Sequence, residues 1–343
     1  MLADSGTIDS IGVRCLEHCL SSGFTGLPAP NGVVDASWQI KENTNGGSDL
    51  SISCQWAQTD EMSGFDHDSC YASTYAYGLW DYPGCFDTAS GTGPFELSRC
   101  GIDFMHDSLV LAVSSVGNVN IMARVFLEGA YDAVGDSMKN TLYPSLPLLQ
   151  PFQPALPYFE NNNPEWYYEG AEDLSASGFP DDNIVDWLLL ELRHASSASQ
   201  AGSSTIIGQQ AALLDVNGQV KNTSGGFCSF LVPRITDSLY LVVYHRNHLG
   251  VLSAYGLTDS NSDGLLDYDF SDSENKVYGG ALGYKIIDGS SGSPDERWGL
   301  VGGDGDADGN IYPSDKLNVF DVQSSQTGYK ASDYNMDGNV YPT

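Results

Sequence analysis

Apolar and polar residues alternate strictly along several stretches of this chain, and no other feature restricts its fold so far. In "VVDASWQI" Val34, Ala36, Trp38 and Ile40 fall on one side, and in "LSISCQW" Leu50, Ile52, Cys54 and Trp56 do the same. Successive side chains of a strand point to opposite faces, so such segments bury one face and wet the other. Antiparallel sheets packed as a sandwich carry this signature. The connector "KENTNGGSD" (41–49) is rich in turn residues, and "SLVLAVSS" (108–115) reads as the closing strand of a first domain, residues 1–117.

The pattern restarts at "NVNIMARVFLEGA" (118–130), where Val119, Ile121, Ala123, Val125 and Leu127 alternate. "QAALLDVNGQVKN" predicts a hairpin around Asn217-Gly218, a dipeptide that tolerates the positive φ of a tight turn. "NIVDWLLLELRHA" (183–195) has a composition shared by buried strands and short helices; its neighbours make strand the expectation. "DSLYLVVYHRNHLGVLSA" (237–254) predicts a long strand followed by a bend. A second sandwich is therefore expected over 118–290. The expected fold is mainly β: two tandem antiparallel β-sandwich (Ig-like) domains and a small segment at 291–343, with little helix outside 314–326.

Within the second domain, residues 143–168 form a loop rich in proline and aromatics. Six of the chain's 15 prolines lie between Pro144 and Pro164, and proline at that density removes ladder donors. Phe152, Tyr158, Phe159, Trp166, Tyr167 and Tyr168 either form a rim that stacks on sugars or pin the loop onto its own domain; pinning is the expectation.

Charge limits the partners. Fourteen Lys and Arg stand against 45 Asp and Glu, a formal net charge of −31. Duplex nucleic acid and anionic membrane surfaces are poor partners for such a chain, and divalent cations are its natural counter-ions. No apolar run reaches the length of a membrane span. The opening "MLADSGTIDS" has neither a basic nor an apolar leader region, so no signal peptide is expected there. Seven cysteines include six in the first hundred residues and no CxxC pair, which argues against zinc. Cys15–Cys19 and Cys85–Cys100 read as disulfides of an oxidising compartment, with small buried free thiols as the alternative.

The acidic residues concentrate in "GGDGDADGNIYPSD" (302–315). Counted from Asp304, Asp occupies positions 1, 3, 5 and 12, Gly309 position 6, Asn310 position 7 and Ile311 position 8. This is the grammar of an EF-hand loop, in which alternate side chains converge on one point and glycine permits the sharp turn. A hard cation with oxygen ligands fits, and Ca²⁺ is the expected one. The expected ligands are Asp304, Asp306, Asp308, the Asn310 carbonyl and Asp315. A copy 29 residues on supplies Asp333, Asn335, Asp337 and the Asn339 carbonyl; its twelfth position would be residue 344, so this second site is incomplete. A third stretch, "DSNSDGLLDYDF" from Asp259, has Phe270 at position 12 and reads as a polar turn, with an ion site using Asp267 at position 9 as the alternative.

The loop at Asp304 followed by "SDKLNVFDV", repeated once, resembles a dockerin-type calcium module. Upstream, "ARVFLEGAYD", "NIVDWLLLELR", "AALLDVNGQV", "YLVVYHRNHLGVLSA" and "VYGG" resemble the C-terminal region of large secreted surface proteins of the Bacteroidetes type, commonly exported by the type IX pathway. The first domain, with "WQIKENTNGGSDLSISCQW" and "GFDHDSCYAS", resembles the β-sandwich that often precedes it. The resemblance implies an extracellular or cell-surface location and a calcium module, and names no reaction.

His245 and His248 in "YHRNHLG" are the strongest catalytic or zinc-like pairing in the sequence. On one strand their rings would diverge to opposite faces, and Gly250 comes too late to bend them together. Structural hydrogen bonding is the expectation. No GxSxG, HExxH or Walker stretch is present. Two readings of function follow: a non-catalytic structural or adhesive segment, meeting a protein partner or its own copies, or a carbohydrate-binding or carbohydrate-active accessory region.

Overall fold

The computed structural model describes residues 2–341 apart from 7–9, 30–31, 45–47, 77–78, 82–86, 104–107, 154–165, 167, 233–234, 262 and 281–282. The chain is mainly β and divides into two compact units. One comprises Met1–Val119 with Leu231–Arg234, the other Asn120–Phe230 with Ile235–Thr343.

In the first unit, strands β1 (Leu2–Gly6), β2 (Ile11–Leu16), β3 (Val33–Glu42) and β4 (Ser48–Trp56) are followed by β5 (Tyr71–Ala76) and β6 (Leu79–Trp80). Strands β7 (Phe95–Asp103) and β8 (Ser108–Ser114) complete it. They make a three-stranded sheet, β1-β4-β7, and a five-stranded sheet, β2-β3-β8-β5-β6. The alternation explains the packing. Val34 and Ile40 of β3 meet Leu50, Ile52, Cys54 and Trp56 of β4 in one buried cluster, with Ala36 and Trp38 packed against it. Each such aliphatic side chain contributes about 1.5–3 kcal/mol when buried.

The expected disulfides are not formed. Cys15, Cys19 and Cys100 are free thiols, and Cys85 lies outside the described residues. Cys15 is exposed on β2, whereas Cys19, beyond the end of that strand, is buried with Val33, Trp80, Val110 and Ala112. The two thiols thus go to opposite environments. Burial pushes Cys19, Cys54 and Cys228 up to about 12 and Cys70 up to about 11, so these are packing residues.

The second unit contains most of β9 (Gly117–Arg124), from Asn120 on, then β10 (Ile184–Ala195), β11 (Ile206–Asp215), β12 (Val220–Lys221) and β13 (Cys228–Val232) as far as Phe230. It continues with β14 (Ser238–His245), β15 (His248–Leu252), β16 (Leu265–Asp269), β17 (Tyr284–Asp288) and β18 (Arg297–Leu300). The main sheet has the order β12-β11-β10-β14-β15. Strand β10 is its centre, antiparallel to both neighbours and buried on both faces, which is why 183–195 lacks alternation. Asn217-Gly218 makes the expected hairpin, with Gly218 at φ 79°. A departure from the all-antiparallel expectation is β9, which pairs in parallel with β16.

A second departure positions everything below. The strand from Ser238 turns back at Arg246-Asn247, so His245 and His248 face each other across a two-residue hairpin. The bend comes before Gly250, and the two rings converge instead of diverging. Their centroids are 4.7 Å apart. Residues 291–343 belong to this same compact unit and do not stand as a separate one. Helix there is short: a wide π-turn over Asp315–Phe320, closing as α-helix over Asp321–Gln323.

Candidate metal centre

After β18 the chain runs along the hairpin tip, with Leu249 N–H donating to Val301 O at 2.9 Å and Gly303 N–H to Asn247 O at 3.0 Å. It then enters the first acidic loop. Asp304 accepts the N–H groups of Asp308 (3.0 Å) and Gly309 (3.1 Å), and Asp308 Oδ1 accepts that of Asn310 (2.9 Å). Two left-handed residues make the turn, Ala307 at φ 57° and Gly309 at φ 80°. Only the glycine adopts that region without a Cβ penalty.

The closing acid comes from the helix. Asp315 Oδ1 accepts Gly305 N–H at 2.8 Å and Oδ2 accepts Tyr312 N–H at 2.7 Å, which folds the end of the loop back on its start. Asp304, Asp306 and Asp315 each present a carboxylate oxygen within 4.8 Å of the others. Asp304 and Asp315 are buried, and Asp306 Oδ1 is buried with no hydrogen-bond partner among the described residues. Asp308 and Asn310 are exposed, and the Asp308 carboxylate lies outside this convergence. Burial first, then the neighbouring carboxylates, pushes Asp304 up to about 7 and raises Asp306. Three acids held this close need a counter-charge or a proton.

The second loop repeats the first, hydrogen bond for hydrogen bond. Asp333 accepts Asp337 N–H (3.2 Å) and Gly338 N–H (2.9 Å), and Asp337 Oδ1 accepts Asn339 N–H (2.8 Å). Met336 at φ 59° and Gly338 at φ 82° match Ala307 and Gly309. Its ligand set differs, because Asn335 Nδ2 donates to Asp337 Oδ2 at 3.0 Å and Asp333 lies near the Arg246 charge. The loop at Asp259 makes the same turn, with Asp263 and Gly264 N–H donating to Asp259 at 3.1 and 3.0 Å. Phe270, at its twelfth position, is fully buried in the core and offers no oxygen, while Asp267 Oδ2 accepts Ser260 Oγ–H at 2.7 Å and Asn261 Nδ2–H at 3.2 Å.

Two groups of residues join the loops, and only one left a trace in the sequence. Tyr334, at position 2 of the second loop, lays its hydroxyl over Gly305, at position 2 of the first, where any side chain would collide with it. The Tyr334 ring stacks on Phe320 at 6.3 Å, and its buried hydroxyl has no partner among the described residues. The internal repeat pairs these two positions, although nothing in it shows that they touch. The other group is the hairpin tip. Asp186, fully buried on β10, accepts His245 Nε2–H (3.1 Å), Arg246 Nε–H (2.9 Å) and Tyr329 Oη–H (2.8 Å). Arg246 also donates to Lys330 O and lies 4.3 Å from the Tyr329 ring centroid, while Asn247 Nδ2 donates to Asp333 O at 2.9 Å. Both histidine rings are hydrogen-bonded to neighbours, as the expectation of structural hydrogen bonding had it.

In the proline-rich loop, Phe152 and Trp166 are buried and pack edge to face at 4.9 Å, which pins that part of the loop. Tyr158, Phe159 and Tyr167 lie outside the described residues. No protein-family model, curated protein or solved structure matches the chain.

Proposed function

We propose that the chain is a non-catalytic structural or adhesive segment of an extracellular or cell-surface protein, stiffened at its C-terminal end by one Ca²⁺ in the first acidic loop. The observation that carries this reading is the convergence of Asp304, Asp306 and Asp315, with a buried, unpartnered Asp306 oxygen among them. All-oxygen donors on a flexible loop suit Ca²⁺, which accepts six to eight oxygens in irregular geometry. Asp308 and the Asn310 carbonyl stand next in the loop to complete the shell. Binding such an ion supplies the counter-charge that these acids lack. Phe152 and Trp166, two of the six rings of the sugar-stacking alternative, are buried and offer no platform, since a platform for sugars needs exposed rings.

Titration calorimetry of the full chain with Ca²⁺, after EDTA treatment, tests the proposal. Saturable heat whose affinity falls by tenfold or more in Asp306→Asn is the expected result. Absence of heat in the wild-type chain rejects the calcium reading, and turnover of a polysaccharide or peptide abolished by one carboxylate substitution rejects the non-catalytic one.

A further inference from the structure

We infer that the His245–His248 pair is a proton-operated latch, which at mildly acidic pH releases residues 325–341 from the hairpin tip while the main sheet stays folded. This rests on the packing of the tip and is independent of the calcium reading.

The hydrogen bonds around the pair admit one placement of protons. Gly129 N–H donates to His248 Nε2 at 3.3 Å, so the His248 proton sits on Nδ1. His245 Nε2 faces Asp186 Oδ2 at 3.1 Å, and a carboxylate only accepts, so the His245 proton sits on Nε2. His245 Nδ1 is then an acceptor for His248 Nδ1–H at 3.0 Å, a proton shared with Asn247 Oδ1 at 2.8 Å. Both rings are neutral and every ring nitrogen is used. An additional proton on His245 Nδ1 would meet the His248 N–H head on, and one on His248 Nε2 would meet the Gly129 N–H.

The surroundings do not welcome that charge either. Asp186, from β10, touches the pair and already serves Arg246 and Tyr329, and Glu128, next to Gly129, accepts Gly302 N–H at 3.3 Å and is ion-paired to Lys285. Arg246, fully buried beside the rings, repels a second cation. Asp333 and Tyr329 face the tip from the 325–341 arch. Burial accordingly lowers both imidazoles, His248 the more strongly.

The sign follows. Histidines depressed in the docked state bind fewer protons than in the opened state once pH falls below the free value of about 6.5, so docking weakens with acid. Asp333 acts in the opposite sense, because burial raises its carboxyl and acid then favours the docked form. The arch is the part that yields. It covers the tip through Arg246 to Lys330 O and Asn247 to Asp333 O, whereas β10 is laddered on both sides.

Amide hydrogen exchange of the full chain in EDTA at pH 7.5, 6.5 and 5.5 tests the latch. Protection of residues 325–341 is expected to fall over that range, by at most about tenfold for each histidine that titrates, with Leu188–Leu190 unchanged. His248→Gln, which cannot charge, should flatten the profile. Protection at 325–341 that stays constant, that falls in step with Leu188–Leu190, or that keeps its pH profile in His248→Gln overturns the proposal. Nitrogen NMR of the wild-type imidazoles decides the matter without a substitution. Rings that titrate near pH 6.5 with the arch still protected would equally overturn it.

Discussion

Arg246 Nε lies 2.9 Å from Asp186 Oδ2, and neither side chain reaches solvent. A buried pair of this kind is weak evidence of net stabilisation, but removing one partner strands the other charge at a cost of about 3–5 kcal/mol. Asp186→Asn and Arg246→Met are each expected to lower the stability of the second unit by that amount in urea denaturation. The double variant should recover part of the loss, because it leaves no charge behind. Two single losses that simply add would contradict this coupling.

Within the first loop, position predicts importance. Asp306 is expected to matter more than Asp308, since only the former joins Asp304 and Asp315 in the convergence. Asp306→Asn should weaken Ca²⁺ binding by tenfold or more, about 1.4 kcal/mol. Asp308→Asn should cost less, and calorimetry that ranks the two in the other order would show that the exposed acid swings in to become a principal ligand.

The acidity of Asp304 predicts a pH dependence. Its carboxyl is pushed up to about 7 in the ion-free loop, well above its ordinary value. The ion-free protein therefore holds a proton there that the unfolded chain releases, and its stability falls as pH rises from about 4 towards 7. Ca²⁺ must displace that proton. Apparent affinity should drop by about tenfold per pH unit below 7 from this one group, and a flat calorimetric profile between pH 7 and 5.5 would count against it.

Gly305 and Tyr334 give a packing test. A methyl group at Gly305 collides with the Tyr334 hydroxyl, so Gly305→Ala should cost about 1–3 kcal/mol by overpacking. Tyr334→Phe removes a buried hydroxyl that makes no hydrogen bond among the described residues, and should be neutral or stabilising by about 1 kcal/mol in EDTA. Thermal denaturation of both variants checks the pair.

Thiol labelling of the native protein separates the cysteines. Cys15 and Cys100 are exposed and should react readily, while Cys19, Cys54, Cys70 and Cys228 are buried and raised by that burial. Mass spectrometry of the labelled peptides should find the first two modified long before the other four. A disulfide in any of these peptides would contradict the free-thiol arrangement.

Alternation by itself determined the strands at 34–40 and 50–56 and the part of 119–127 up to Arg124, because a side chain's face on a strand depends only on its parity. The acidic loops were legible for a related reason. Asp304, Ala307, Asp308 and Gly309 make a turn from bonds between near neighbours, so the copy at Asp333 repeats the same turn. Tertiary structure alone decided the rest. Whether His245 and His248 diverge or meet depended on a two-residue turn with no glycine in it, set by β14 and β15 pairing beside β10. Cys15 and Cys19, four residues apart, were parted by the end of β2. Asp186, Arg246 and Tyr329 are far apart in sequence and carry no shared motif; they meet because a buried charge is tolerated only where the fold brings it a partner. Local chemistry is written in neighbouring residues, and long-range neutralisation exists only once the chain has closed on itself.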